Sequence, residues 1–528
     1  MHTLLPFLLA MVAAIILLEL LAGKLRVAYP ILLVLAGLVL GFIPGLPQVH
    51  VDPDLIFFLF LPPLLFEAAW SISYKELRRW WRIVGSFAFL VVFFTALSVA
   101  VVSNALIPGF TIAMGFLLGG IVSPPDAVST GAIMKFVEVP KSVKAILEGE
   151  SLLNDASSLI IFRFALVAVG TGQFFWQGAA LDFLWMVAGG AGIGLLIAWL
   201  FMVLHRRLPM DAPSSIAMTL IEPYCMYWAA EQLHASGVLA VVAGGLYLSN
   251  RRLHFLNGTA RVRGYSVWES LVFILNGVVF LLIGLQLPEI VEGIRASGLS
   301  LGTAIGYGVL VTAVLIVARI ISSYAALVAT LIFRPSVAPR SRNARQRWML
   351  PLLLGWTGMR GVVSLAAALA IPVTLADGTA FPQRDLILFI TFVAILLTLV
   401  VQGLTLPVFI RRSKLWDTVA PDDRDEDMRT RVRRELHAHT LRFLKETQAK
   451  ALPGHEGLAQ LIAHWENKAS MGTSGPKGAH ARGLAFELLE LQRQHLAEAN
   501  RDPAIDEEVI RHELYLIDLE EERLRLRT

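Results

Sequence analysis

The segment Glu150-Ser151-Leu152-Leu153-Asn154-Asp155-Ala156-Ser157-Ser158 sits inside an otherwise apolar run. At 100° per residue, Glu150, Ser151, Asn154, Asp155 and Ser158 fall within about 140° of one another, so a helix here carries one polar stripe. The stripe offers carboxylate, amide and hydroxyl oxygens, a donor set that suits a hard cation such as sodium better than a thiolate- or imidazole-seeking metal. An ionisable side chain at the centre of a bilayer costs about 2.5–3.5 kcal/mol on insertion scales, and Asp155 lies near the middle of its run, so a functional reason is expected for it. A second carboxylate, Asp126, follows Ser123-Pro124-Pro125 in the preceding apolar run. The two prolines remove backbone donors and free carbonyls that can also face a cation.

Such a stripe needs helices to hold it in a membrane, and composition supplies them. Of 528 residues, 56% are hydrophobic and 16% charged, with a mean hydropathy of +0.65; a soluble chain carries roughly a quarter charged residues. Apolar runs long enough to cross a bilayer recur from Leu4 to Ile410. The spans expected are 3–22, 30–45, 55–71, 83–107, 110–135, 144–170, 181–204, 213–233, 236–250, 267–287, 301–333, 348–373 and 385–411. Basic and nearly uncharged connections alternate without a break between them, which supports about thirteen spans, an external N-terminus and a cytoplasmic C-terminus. The N-terminal run reads as a retained helix, not a cleaved signal. The pI of 9.2 follows from the positive loops and makes no case for nucleic acid. One cysteine, Cys225, excludes a disulfide framework.

Two expected spans are interrupted near their middles. The fifth contains Gly119-Gly120 and Ser123-Pro124-Pro125-Asp126, the twelfth Gly355-Trp356-Thr357-Gly358-Met359-Arg360-Gly361. With the seventh span as a linker, the rest form two halves of six, inverted because they start seven spans apart. The fold expected is thus an all-α polytopic membrane protein whose broken fifth and twelfth helices hold corresponding places in two inverted six-helix repeats. Paired broken helices point to a transporter site at the bilayer midplane. No nucleotide-binding loop, hydrolase motif or cysteine cluster argues for an enzyme or an ATP-driven pump.

The Glu150–Ala156 segment resembles the signature helix of the cation:proton antiporter-1 family, the bacterial NhaP-type and animal NHE-type sodium/proton exchangers. Trp268-Glu269-Ser270, Ala318-Arg319-Ile320 and Gly358-Met359-Arg360-Gly361 resemble further stretches of that family, as does the spacing of Asp126 and Asp155. The resemblance covers about residues 1–412 and leaves the tail out. It implies a homodimer, a mobile core of about residues 83–170 and 301–411, elevator-like alternating access, and exchange of Na+ for H+ with no cofactor; the short loops between spans point to a bacterial inner membrane. Where the family commonly has Thr-Asp-Pro, this chain has Pro125-Asp126, so a hydroxyl that can ligate the cation is replaced.

The residues so singled out have competing roles. Asp155 is expected to bind Na+ and a proton in turn. Asn154 either joins it or ties the broken helix through its amide. Glu150 is divided between an entry funnel and direct ligation, as Ser151 on the same stripe offers a hydroxyl. Asp126 either caps a half-helix or ligates. Arg319 and Arg360 are expected to neutralise carboxylates and helix C-termini, with Glu269 the partner of Arg319 or a nearby support. A neutral Asn154 and a permanently charged Arg319 leave Asp155 as the main exchanging group, which favours one cation for one proton. A potassium/proton antiporter or, less favoured, a channel fits the same residues. Residues 413–528 carry 18 basic and 22 acidic residues and seven of the 12 histidines; they read as a helical cytoplasmic tail, a candidate regulator through histidine titration.

Overall fold

The structure, a computed structural model, describes residues 4–43, 56–134, 141–172, 176–333, 344–375 and 378–413. In the tail it describes 435–436, 438–448, 460, 462–463, 466, 486–496 and 507–525. The chain divides into a unit spanning Met1–Val419 and a second spanning Ala420–Thr528.

In the first unit the described elements are helices: α1 (Leu4–Leu25), α2 (Tyr29–Gly41), α3 (Leu61–Ser71), α4 (Tyr74–Gly85), α5 (Val92–Leu106), α6 (Ile112–Val122), α7 (Ala127–Met134), α8 (Lys141–Thr171), α9 (Trp176–Arg207), α10 (Ala212–Gln232), α11 (Gly237–Arg251), α12 (Gly258–Leu285), α13 (Leu287–Ala296), α14 (Leu301–Phe333), α15 (Ala344–Trp356), α16 (Val362–Leu369), α17 (Arg384–Leu397) and α18 (Gly403–Ser413). Wider π-type turns lead into α3, join α4 to α5 and join α17 to α18. Polar loop residues start the helices: Thr111 accepts from the Met114 amide, Asp211 from Ser214 and Asn257 from Ala260. Each cap satisfies an amide that the first helical turn leaves without a partner.

Every expected span coincides with a helix or a broken pair of helices. Among the described residues, seven helices are long and apolar enough to cross a membrane, with shorter apolar helices at Tyr29–Gly41, Phe57–Ser71 and Ile112–Val122. Fewer qualify than the thirteen expected because several of the remaining described helices, α2 and α6 among them, have fewer than 18 residues. The sequence reading is corrected at two places. The fourth helix begins at Tyr74 rather than near residue 83, because the charged segment before the apolar run is itself helical, capped by Ser73. An additional short helix, α13, occupies what reads as an acidic loop; Pro288 in its first turn and buried Ile290, Val291 and Ile294 explain it.

The helices pack in two groups. In the first, α2 lies on α1 and α12, while α9, α10 and α11 pack on one another and α11 on α3. In the second, α5 lies on α6, α6 on α8 and α16, and α14 on α5, α15 and α17. Close approach sets the second group: a Cβ on Gly115 or Gly119 of α6 would meet the Ala100 or Ala96 carbonyl oxygen of α5 at 2.6 and 2.5 Å. Small residues of this kind let helix backbones touch in a membrane, where burial alone gives helices little reason to associate.

In the second unit, helix α19 (486–496) packs on α20 (Glu507–Arg525) through Arg493, which pairs with Asp518 at 2.7 Å and with Glu521. Residues 471–483, whose glycine, serine and lysine content reads as a linker, and the tail histidines His437, His455, His464 and His480 lie outside the described residues.

Candidate functional site

The site is built where two helices come apart. Between α6 and α7 the chain runs extended through Pro125-Asp126, and between α15 and α16 through Thr357–Gly361. The two breaks cross: the Asp126 amide donates to the Met359 carbonyl at 2.7 Å. A Cβ on Gly361 would lie 2.7 Å from the Asp126 carboxyl carbon, so only glycine admits this crossing.

Three of the carbonyls at the breaks are met by side chains. Arg360, fully buried, donates from Nε to the Val122 carbonyl at 2.8 Å, the end of α6, and from Nη1 to Gly358. Its own amide donates to Thr398 Oγ1 at 3.1 Å. Asn154 of α8, 0% exposed, donates from Nδ2 to the Pro125 carbonyl at 3.0 Å. That is the tying role among the two weighed for it. Asp126 accepts from the Val128 amide at 3.2 Å and the Ser129 amide at 2.9 Å, and also from the Ser129 hydroxyl. It therefore caps α7, favoured there by the helix dipole.

Glu150 and Arg319 form a two-pronged ion pair, Nη1 to Oε1 at 2.7 Å and Nη2 to Oε2 at 2.9 Å, with both side chains 1% exposed. The expected pairing of Arg319 with Glu269 is thereby corrected. Glu269 lies exposed at the start of the apolar part of α12, whereas Glu150 faces Arg319 from the polar stripe of α8. Spacing on one helix shows a stripe but not which distant helix faces it. Gly358 fits between the two arginines; a Cβ there would meet Arg319 Cδ at 2.6 Å and Arg360 Nη1 at 2.8 Å.

Asp155 has a different environment. It is 8% exposed and lines a cavity of about 1450 Å³ together with Asp126, Ser151, Glu67, Glu148 and Glu269. Among the described residues no hydrogen bond or ion pair engages its carboxylate, while Glu148 on the same helix has Lys144 at 3.6 Å. Ser151 shares the wall. The cavity thus unites Asp155, Asp126, Ser151 and Glu269, and leaves Asn154, Glu150, Arg319 and Arg360 behind it in the packing.

Sequence reasoning passed over several cavity residues. Glu67 of α3 and Glu19 of α1 interrupt apolar runs, a signal of the same kind as Asp155. Tyr29 and Asn276 reach the wall from α2 and α12, and the Asn276 amide oxygen is buried without a partner among the described residues. Neither carries a charge, so nothing in the sequence marks them. Two further charged residues within apolar runs, Glu222 and Arg163, have partners in His205 at 2.8 Å and Glu231 at 2.6 Å.

The family profile described as sodium/hydrogen exchanger, transmembrane, matches residues 8–412. This chain belongs to that family. An uncharacterised Na(+)/H(+) exchanger of Mycobacterium tuberculosis is 31% identical over 546 residues, covering 98% of this chain and 95% of the relative. A sodium, potassium, lithium and rubidium/H(+) antiporter of Bacillus subtilis is 33% identical over 386 residues, 72% of this chain and 57% of that protein. The structure of the sodium proton antiporter MjNhaP1 from Methanocaldococcus jannaschii at pH 8 superposes with a TM-score of 0.58 at 19% identity, covering 77% of this chain and 97% of that one. The exchanger is therefore a membrane-spanning transporter with the fold of that antiporter, and not an enzyme.

Removing one partner of a buried ion pair strands the other and costs about 3–5 kcal/mol. Arg319→Ala is expected to lower the thermal unfolding midpoint of the purified exchanger sharply. Adding Glu150→Gln should recover most of the loss, and adding Glu269→Ala should recover none. Simple addition of the losses in the Arg319/Glu150 double variant would dissolve the pair.

Proposed function

We propose that this exchanger swaps a monovalent cation, sodium above all, for a proton at Asp155. The observation that carries the reading is the contrast along α8, where Glu150 is consumed by Arg319 and Asp155 stands unpaired on the cavity wall. A carboxylate in such a place holds a proton or a cation but not both at once. Ser151 and the Asp126 region supply further oxygens, and Glu67, Glu148 and Glu269 make the approach attractive to cations by focusing the field in the cleft.

Alternating access follows if the group containing α4–α8 and α14–α18 moves against the group containing α1–α3 and α9–α12. The crossing of the breaks and the Glu150–Arg319 pair both lie inside the group containing α4–α8 and α14–α18, so the site travels as a unit. Thirteen spans in two inverted halves, an external N-terminus, a cytoplasmic C-terminus, a bacterial inner-membrane location and a homodimer complete the proposal. Transport of potassium as well as sodium is a second reading, favoured by the name of the Bacillus subtilis relative. The tail from residue 413 is proposed to set the pH range of transport.

Three outcomes test this in proteoliposomes. Asp155→Asn should leave the protein folded and abolish Na+-driven proton movement, because an amide cannot trade a proton for a cation; surviving exchange would falsify the assignment. With Asp155 as the one titrating group, the initial rate should not change when the membrane potential is clamped at different values. A current scaling with turnover would mean that the charges exchanged do not balance and that a second group titrates with Asp155. Truncation after Arg412 should retain exchange and displace its rate-against-pH curve, and an unmoved curve would remove the regulatory role of the tail.

A further inference from the structure

Helix α4 has a face that neither the site nor the packing of the exchanger uses. Lys75, Arg78, Arg79 and Arg82 recur at helical spacing and fall within about 100° of one another around the axis. All four are exposed, and no carboxylate pairs with any of them among the described residues. The one acid on the helix, Glu76, accepts from Trp80 Nε1 at 3.0 Å. Two of the cations are held over indoles: the Arg79 guanidinium lies 5.5 Å from the Trp80 ring centre and that of Arg82 lies 5.3 Å from Trp81. Trp81 itself is 59% exposed.

The depth of this face follows from length. Helix α4 runs through the π-type turn into α5 as one 33-residue span, Tyr74–Leu106, about 50 Å at 1.5 Å per residue. From Ile83 onward the span has no charge, and that part alone, about 36 Å long, fills a hydrocarbon core about 30 Å thick. The cationic stripe and its two tryptophans are thus set at the level of the lipid headgroups, where indoles are favoured. Arginine forks match phosphate oxygens in pairs, and the stripe spans about 10 Å along the axis, room for more than one phosphate.

The opposite face of α4 touches the site helix. A Cβ on Gly149 would meet Leu77 Cδ1 and Val84 Cγ2, both at 3.0 Å, and Val84 is fully buried. Gly149 directly precedes Glu150 on α8. Further along the same span, the Ala88 carbonyl accepts from Ser157, two residues beyond Asp155. What holds α4 at the membrane surface therefore braces the helix that carries Asp155.

We propose that the Lys75/Arg78/Arg79/Arg82 stripe binds the headgroups of anionic phospholipids and that this binding raises the rate of exchange. The second half rests on the exchange reading above; the first does not. The test uses the full chain in vesicles of phosphatidylcholine alone or with phosphatidylglycerol. Binding is read as quenching of Trp81 by brominated phosphatidylglycerol against brominated phosphatidylcholine, taken as the difference from Trp81→Phe. Wild type should show quenching selective for the anionic lipid and an exchange rate about five-fold higher when that lipid is present. Arg78→Gln/Arg79→Gln/Arg82→Gln should lose both while keeping the rate seen in phosphatidylcholine. The corresponding triple lysine variant, which keeps the charge, should retain them in good part.

Unselective quenching of Trp81 in the wild type overturns the proposal without any variant. A glutamine variant that still responds to phosphatidylglycerol overturns it too, as does inorganic phosphate reproducing the stimulation in phosphatidylcholine vesicles. An exchange reading that fails would leave no flux in either lipid, with the selective quenching intact.

Discussion

A helix broken inside a bilayer leaves amides and carbonyls that water cannot reach, and each must find a partner within the protein. This requirement organises the exchanger. The breaks at Pro125-Asp126 and Thr357–Gly361 satisfy each other directly, Asp126 amide to Met359 carbonyl. Three further carbonyls, those of Val122, Gly358 and Pro125, are met by Arg360 and Asn154. Asn154 belongs to α8, so the same hydrogen bond that satisfies the first break also fixes where Asp155 stands. Glycines at 358 and 361 are the steric condition for it, because a side chain at either would meet a guanidinium or a carboxylate.

Charge is sorted by the same arrangement. Two carboxylates five residues apart on α8 meet opposite surroundings. Glu150 faces α14 and is locked by both prongs of Arg319, out of solvent. Asp155 faces the cavity with its valence unspent. A fully compensated pair adds no net charge to the low-dielectric packing behind the cavity. An uncompensated carboxylate becomes neutral only by taking up an ion, and such differences of environment divide labour between like groups. The same pairing keeps Arg319 out of the cavity that Asp155 lines.

The polar stripe, the two interruptions and the approximate spans were legible because each is local: periodicity, proline and glycine act within a few residues. The capping geometry of Asp126 was legible for the same reason. Partners across the fold were not. Glu269 and Glu150 are equally acidic in the sequence, and only the facing of α8 toward α14 decides which one Arg319 meets. Glu67 and Glu19 could have been found by the rule that singled out Asp155, whereas Tyr29 and Asn276 depend on how α2 and α12 turn toward the cavity. The start of α4 is hidden in the sequence because its charge density resembles that of a loop. Its charges are confined to one face, and the other face packs on Gly149.

The paired prolines at 124 and 125 have one more implication. An ordinary kink can anneal, since restoring its hydrogen bonds restores the helix. Here the missing donors are absent from the covalent chain, so the gap between α6 and α7 is written into the polymer and no conformational change can close it. The interruption is thus a permanent property of the covalent chain, and the backbone there is held from outside by contacts such as Arg360 to the Val122 carbonyl and Asn154 to the Pro125 carbonyl.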